Sequence, residues 1–166
     1  MTAVVVATRD AMHDLGERLA AVLRAGDLVV LVGGLGAGKT TLTQGIGRGL
    51  GARGAVTSPT FVIARVHPST TGGPALVHVD AYRLESLDEV DDLDLDASLA
   101  DSVTVVEWGE GKVEGLSEDR LVVAIGRPTG DEEHVVSADG DEPRTVALTG
   151  IGARWAGADL DAVVAP

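Results

Sequence analysis

Cysteine is absent from the chain, which excludes disulfides, thiolate nucleophiles and Cys-ligated zinc. Asparagine is absent too, so the N-K-x-D element with which GTPases read guanine cannot be built, and a Ras-like GTPase is excluded. Glutamine occurs once, at Gln44, and no L-S-G-G-Q signature of an ABC ATPase exists. The four histidines contain no H-x-x-x-H pair, and no structural metal is expected. Aromatic residues are reduced to two Trp, one Tyr and one Phe, so where they fall becomes informative. No apolar run approaches the roughly 18 residues that cross a bilayer, and Met1 to Asp10 lacks a basic region leading into a long apolar stretch. A cytoplasmic protein, neither membrane-embedded nor exported, is the expectation.

What is present is acidic. Against 13 Lys and Arg stand 26 Asp and Glu, a net charge of -13. That field repels phosphate backbones, so direct DNA or RNA binding is disfavoured and any nucleic-acid role is expected to run through a partner. With 45% apolar and 23% charged residues the composition is that of a globular chain. Its 166 residues suit one domain, spanning 1–166, and leave no room for an AAA+ lid. A tail from about residue 153 is expected to fray.

Patterning predicts a strand over Ala3 to Ala7, then a helix from Asp10 to Arg24 capped by Thr8 and closed by Gly26. Leu28 to Val32 is a continuous β-branched run, as in a strand buried on both faces. A Gly-rich turn and a helix over Lys39 to Leu50 follow. Further strands are expected at Thr60–Val66, Ala75–Val79, Val103–Val106, Leu121–Ile125, Glu133–Ser137 and Thr145–Leu148. A short helix opens at the capping-box spacing Ser86 to Glu89. The fold class is α/β: a three-layer P-loop NTPase-like arrangement, its central sheet largely parallel and flanked by helices, with an antiparallel C-terminal extension.

The strongest chemical signal is Gly33-Gly34-Leu35-Gly36-Ala37-Gly38-Lys39-Thr40, which fits G-x-x-x-x-G-K-[ST] between an apolar strand and a helix. Glycines let the backbone wrap a phosphate, with amide N–H groups and the positive helix end facing the anion. Lys39 reaches β and γ phosphates, the Thr40 hydroxyl is placed for Mg²⁺, and Thr41 for the α phosphate. A plain Gly-rich turn is the alternative, but one of only two lysines in the chain occupies the required slot. A P-loop also needs a carboxylate near the metal at a neighbouring strand end. Two strands end in an acid, at Asp80 and Glu107, and spacing does not choose between them. Thr57 to Phe61 lies at the distance of a γ-phosphate-contacting segment, and Arg83 is able to pair with an acid or with a transferring phosphoryl group. The seven acids within Glu85 to Asp96 read first as a solvated face, with a basic partner surface as the functional alternative. Phe61, Tyr82 and Trp108 all lie beside these candidates.

Taken together, Gly36-Ala37-Gly38-Lys39-Thr40-Thr41, Ser58-Pro59-Thr60-Phe61, His78-x-Asp80-x-Tyr82-Arg83 and Glu107-Trp108 resemble the TsaE (YjeE) family over about Asp10 to Ile125. The resemblance implies a bacterial P-loop ATPase with ATP and Mg²⁺ as cofactors. It also implies a role in threonylcarbamoyladenosine modification of tRNA, in which hydrolysis resets a TsaB–TsaD partner pair and tRNA is met only through those partners. It further implies that Gly33, Leu35, Gly36, Ala37, Gly38, Lys39, Thr40 and Thr41 hold the nucleotide. Thr40 and Glu107 would ligate Mg²⁺, with Asp80 organising its surroundings, and Lys39, Asp80, Glu107 and Thr60 would form the catalytic set. Gly34 stands where the family commonly has Asp, Gly109 where it has Pro, and Met12 near where it often carries a Thr. The rival expectations are a small-molecule P-loop kinase and a nucleotide-gated adaptor that barely hydrolyses.

Overall fold

The computed structural model describes residues 1–59, 63–84, 89, 94–127 and 142–165. The expected strand at Glu133–Ser137 and nearly all of the Ser86–Glu89 capping box lie outside these residues. Among the described residues the elements run β1 (Thr2–Val6), α1 (Arg9–Ala20), β2 (Leu28–Val32), α2 (Lys39–Gly49), β3 (Ala64–His67), β4 (Ala75–Asp80) and α3 (Leu95–Leu99). They continue with β5 (Ser102–Glu107), β6 (Arg120–Gly126), β7 (Arg144–Ile151), a 3-10 turn (Ala153–Trp155) and α4 (Leu160–Val164). No helix among them is long and apolar enough to cross a membrane.

The sheet has the order β1-β7-β6-β2-β5-β4-β3. Its middle is parallel, with β2 between β5 and β6 and with β4 beside β5. Both margins are antiparallel: β3 on β4, and β7 followed by β1 on β6. This is the largely parallel α/β sheet with an antiparallel extension that the patterning predicted. β2 and β5 are apolar on both faces because both faces are covered. β6 alternates buried and more exposed positions. On one face Val29, Leu31, Leu76, Val103 and Val105 pack against Leu15 and Leu19 of α1 and Leu42 and Ile46 of α2. On the other, Val30, Val77, Val79 and Val106 meet Leu95 of α3 and Val113.

α1 is shorter than its apolar spacing predicts. Thr8 caps it as expected, accepting from Ala11 N–H at 3.1 Å, but it ends at Ala20 rather than Arg24. The Asp27 carboxylate accepts from Arg24 N–H at 2.9 Å, and Gly26, in the left-handed region at φ +92, turns its own N–H to Ser102 O at 2.9 Å. Both interactions draw the chain out of the helix. Leu23 is still buried, but from a turn. The strand expected at Thr60–Val66 is also displaced: β3 begins at Ala64 and runs through His67, and residues 60–62 are not described.

α1 and α2 cross at glycines. A Cβ on Gly16 would lie 2.5 Å from Leu42 O, and one on Gly45 would overlap the His13 carbonyl. Glycine inside a helix costs about 1 kcal/mol relative to alanine. Here that cost permits backbone-to-backbone approach, which sets the position of α2 and so of the loop at its start.

The tail expected to fray from about 153 is packed instead. Arg154 donates to both Asp27 oxygens, at 2.9 and 2.8 Å, and to Val22 O at 2.8 Å. Trp155 and Val163 are buried, and Arg18 Nε donates to Val163 O at 2.9 Å. Asp27 and Arg154 stand 127 residues apart, a pairing no local pattern reveals.

Candidate functional site

Alternation along the strands decides what faces the glycine-rich loop. Leu76 on β4 and Val103 and Val105 on β5 point to the α2 face, so residues two apart from them, His78, Asp80 and Glu107, share that face. Asp80 and Glu107 are register partners at the C-terminal ends of adjacent parallel strands, where open α/β sheets place their ligand crevice. The loop from β2 to α2 opens over the same edge. Gly36 and Gly38 hold φ of +72 and +109, values that L side chains rarely adopt, and Gly38 is the N-cap of α2. A Cβ on Gly36 would meet nothing within 4 Å, so space is open beside the loop there.

Lys39 opens α2, and its ammonium is buried and occupied. Nζ donates to Gly33 O at 2.7 Å and Gly34 O at 2.8 Å, and lies 3.9 Å from the centroid of the Trp108 ring. Burial pushes its pKa below 10.5, opposed by the attraction of Glu107 and Asp80. Thr40 Oγ1 donates to Glu107 Oε1 at 3.1 Å and lies 3.4 Å from Oε2. Glu107 is buried, and its Oε1 also accepts from His78 Nε2 at 2.8 Å. Asp80 Oδ1 accepts from Tyr82 N–H at 3.0 Å. The Tyr82 ring meets Trp108 edge-on, centroids 5.1 Å apart. Trp108 itself sits at φ +60, a left-handed backbone rare for a bulky residue and costing about 1–3 kcal/mol.

Between these groups lies a cleft of about 420 Å³, bounded by the loop, Thr40 and Thr41 on one side and by Ser58, Asp80, Glu107 and Trp108 across it. A second cleft of about 480 Å³ shares Gly36 to Gly38 and Thr41, and opens between Thr8, Met12 and Arg144. The model for the threonylcarbamoyl adenosine biosynthesis protein TsaE matches residues 6–135. The chain belongs to the TsaE family. A TsaE of Streptomyces coelicolor is 67% identical over 150 residues, covering 90% of this chain and 97% of that protein. One of Bacillus subtilis is 39% identical over 142 residues, covering 85% and 80%. Among solved structures, Bacillus subtilis YdiB superposes with a TM-score of 0.68 at 28% identity, over 93% of this chain and 88% of that one.

Within this TsaE-family fold, the expected residues Leu35, Gly36, Ala37, Gly38, Lys39, Thr40, Thr41, Ser58, Asp80 and Glu107 all line the one cleft. Gly33 contributes through its carbonyl to Lys39. The Leu35 side chain projects into solvent, 95% exposed. Thr60 and Phe61 lie outside the described residues. Trp108, expected beside these residues, covers Lys39. Two features were not read from spacing as parts of the site. His78 backs Glu107. Gln44 accepts from His13 Nε2 at 3.0 Å and donates to Val56 O at 3.0 Å, tying the segment before Ser58 to both helices. The signal for His78 was a polar residue inside an otherwise apolar strand.

The donors fit a triphosphate with a hard cation. The loop runs into the start of α2, where first-turn amides have no partner within the helix, and Thr40, Glu107 and Asp80 supply only oxygen. No three His, Cys, Asp or Glu converge as a metal cage among the described residues. Mg²⁺ needs no such cage, since it is held by one or two carboxylates together with phosphate oxygens and waters.

Proposed function

We propose that this TsaE-family chain is a Mg²⁺-dependent ATPase that serves threonylcarbamoyladenosine formation on tRNA by driving the cycle of a TsaB–TsaD pair. The observation that carries the ATPase reading is the convergence of Lys39 and Thr40, at the start of α2, with Glu107 at the end of β5. The amides of Gly36, Gly38 and Lys39 would take the phosphates, Ala37 N–H being turned to Gly34 O at 3.2 Å, and the Lys39 ammonium would leave Gly33 O and Gly34 O for β and γ oxygens. Thr40, Glu107 and Asp80 would hold Mg²⁺, whose chemistry there is to screen the charge developing on the phosphates. Adenosine would lie in the second cleft, because the two clefts meet at Gly36 to Gly38. Asp80, held by the Tyr82 N–H, would face the γ end and orient the attacking water, and Thr60 would complete the catalytic set.

The contacts of Lys39 bear on nucleotide affinity, since phosphate must compete with two carbonyls and an aromatic ring. The tRNA and partner assignments rest on family membership and on the acidic composition, which favours a protein partner over nucleic acid. Phosphate release by the purified chain, with and without a TsaB–TsaD pair, tests the proposal. Mg²⁺-dependent release that rises with the pair is expected. Binding without release under either condition would leave a nucleotide-gated adaptor, and phosphorylation of a small acceptor would make it a kinase.

A further inference from the structure

His78 has no reason to be in the core on packing grounds. It lies between Val77 and Val79 in the middle of β4 and is 0% exposed. A branched aliphatic side chain would fill the same space. Its Nδ1 is buried with no hydrogen-bond partner, and an unsatisfied buried group costs about 1–3 kcal/mol. Its polar contact is with Glu107, Nε2 to Oε1 at 2.8 Å. A carboxylate only accepts, so that contact places the proton on Nε2 and leaves Nδ1 facing away into the core.

The register explains the geometry. His78 pairs with Val105 and Asp80 with Glu107, so the imidazole reaches Glu107 on the diagonal across one face of the sheet. Glu107 then receives two donors on Oε1, His78 from beneath and Thr40 from α2. With Oε1 pinned between strand and helix, Oε2 is held 3.4 Å from the Thr40 hydroxyl, and Glu107 lines the cleft. We propose that His78 is a positioning residue, which fixes the Glu107 carboxylate in the orientation that the cation accompanying a nucleotide requires. The role rests on the reading of the cleft as a Mg²⁺–nucleotide site. It lies in hydrogen-bond geometry and does not depend on titration of the imidazole.

The test compares His78→Leu, which removes the donor, His78→Asn, whose amide is too short to reach Glu107, and His78→Gln, whose amide nitrogen falls near the place of Nε2. For each full-length chain, affinity for a non-hydrolysable ATP analogue is measured with Mg²⁺ and with EDTA, alongside a melting curve. Outer partners of metal-binding carboxylates are typically worth about 10- to 100-fold in metal affinity. The Leu and Asn variants should therefore lose about tenfold or more of the Mg²⁺-dependent gain, keep the EDTA affinity, and be largely rescued by Gln. In a Glu107→Ala background, His78→Asn should remove nothing further. Retention of the gain by Asn or Leu, an equal loss with EDTA, or an equal loss in the Glu107→Ala background overturns the role of His78 alone. A wild-type chain whose affinity ignores Mg²⁺ overturns the reading of the site, and the role of His78 with it. If Leu does not fold, the contrast between Asn and Gln decides.

Discussion

Replacing Lys39 by methionine keeps the aliphatic stem and removes the ammonium, and the apo geometry sets how much that should cost. With nucleotide bound, two charge-assisted hydrogen bonds to phosphate oxygens would contribute about 3–6 kcal/mol in all, at roughly 1.5–3 each. Bonds to the neutral Gly33 O and Gly34 O and the contact with the Trp108 ring already exist; neutral acceptors hold an ammonium about half as strongly as charged ones, so about half of that gain is offset. A net loss of about 1.5–3 kcal/mol is expected, or roughly 10- to 150-fold in affinity. Titration calorimetry with a non-hydrolysable ATP analogue measures it. The fold should hold, since a buried ammonium is disfavoured by desolvation and methionine suits the space. The lowered pKa adds a pH signature. Between the lowered folded value and 10.5 the unfolded chain binds more protons than the folded one, so apo stability should rise with pH across that window. Lys39→Met should abolish the rise. An affinity loss below about threefold, or a melting temperature that collapses, would refute the assignment of Lys39 as a phosphate ligand that is already engaged.

Other perturbations probe the scaffold and the cover of the site. Gly45→Ala drives a methyl into the His13 carbonyl. Against about 1 kcal/mol of helix propensity, overpacking of about 1–3 kcal/mol should still lower the melting temperature by a few degrees, and a higher one would contradict the close crossing of α1 and α2. Arg154→Ala leaves the buried Asp27 carboxylate without its guanidinium and should cost about 3 kcal/mol in denaturant unfolding. A loss under about 1 kcal/mol would mean the pair is not closed in solution. Because Trp108 stacks on Lys39 while Trp155 packs against Arg154, nucleotide should change tryptophan emission in Trp155→Phe but not in Trp108→Phe. The reverse result would separate the aromatic cover from the phosphate loop.

The glycine-rich loop was legible because it is local. A strand, closely spaced glycines, Lys39 and Thr40 follow one another within a few residues, and the φ values at Gly36 and Gly38 are ones that only glycine adopts freely. Asp80 and Glu107 were legible as acids ending apolar runs, β2 as a strand covered on both sides, and β5 as a strand. The sheet order that lays β5 between β2 and β4 then decided a contact that spacing does not give: Glu107 receives the Thr40 hydroxyl. The same holds for His78 behind Glu107, for Gly16 and Gly45 at the helix crossing, and for Arg154 on Asp27. Each depends on partners brought together across the fold, 29 residues apart for His78 and Glu107 and 127 for Arg154 and Asp27. Backbone preference and capping act over a few neighbouring residues and can be read along the chain. Which side chains meet is decided by strand order and register, which bring distant segments onto one face only after the sheet has formed.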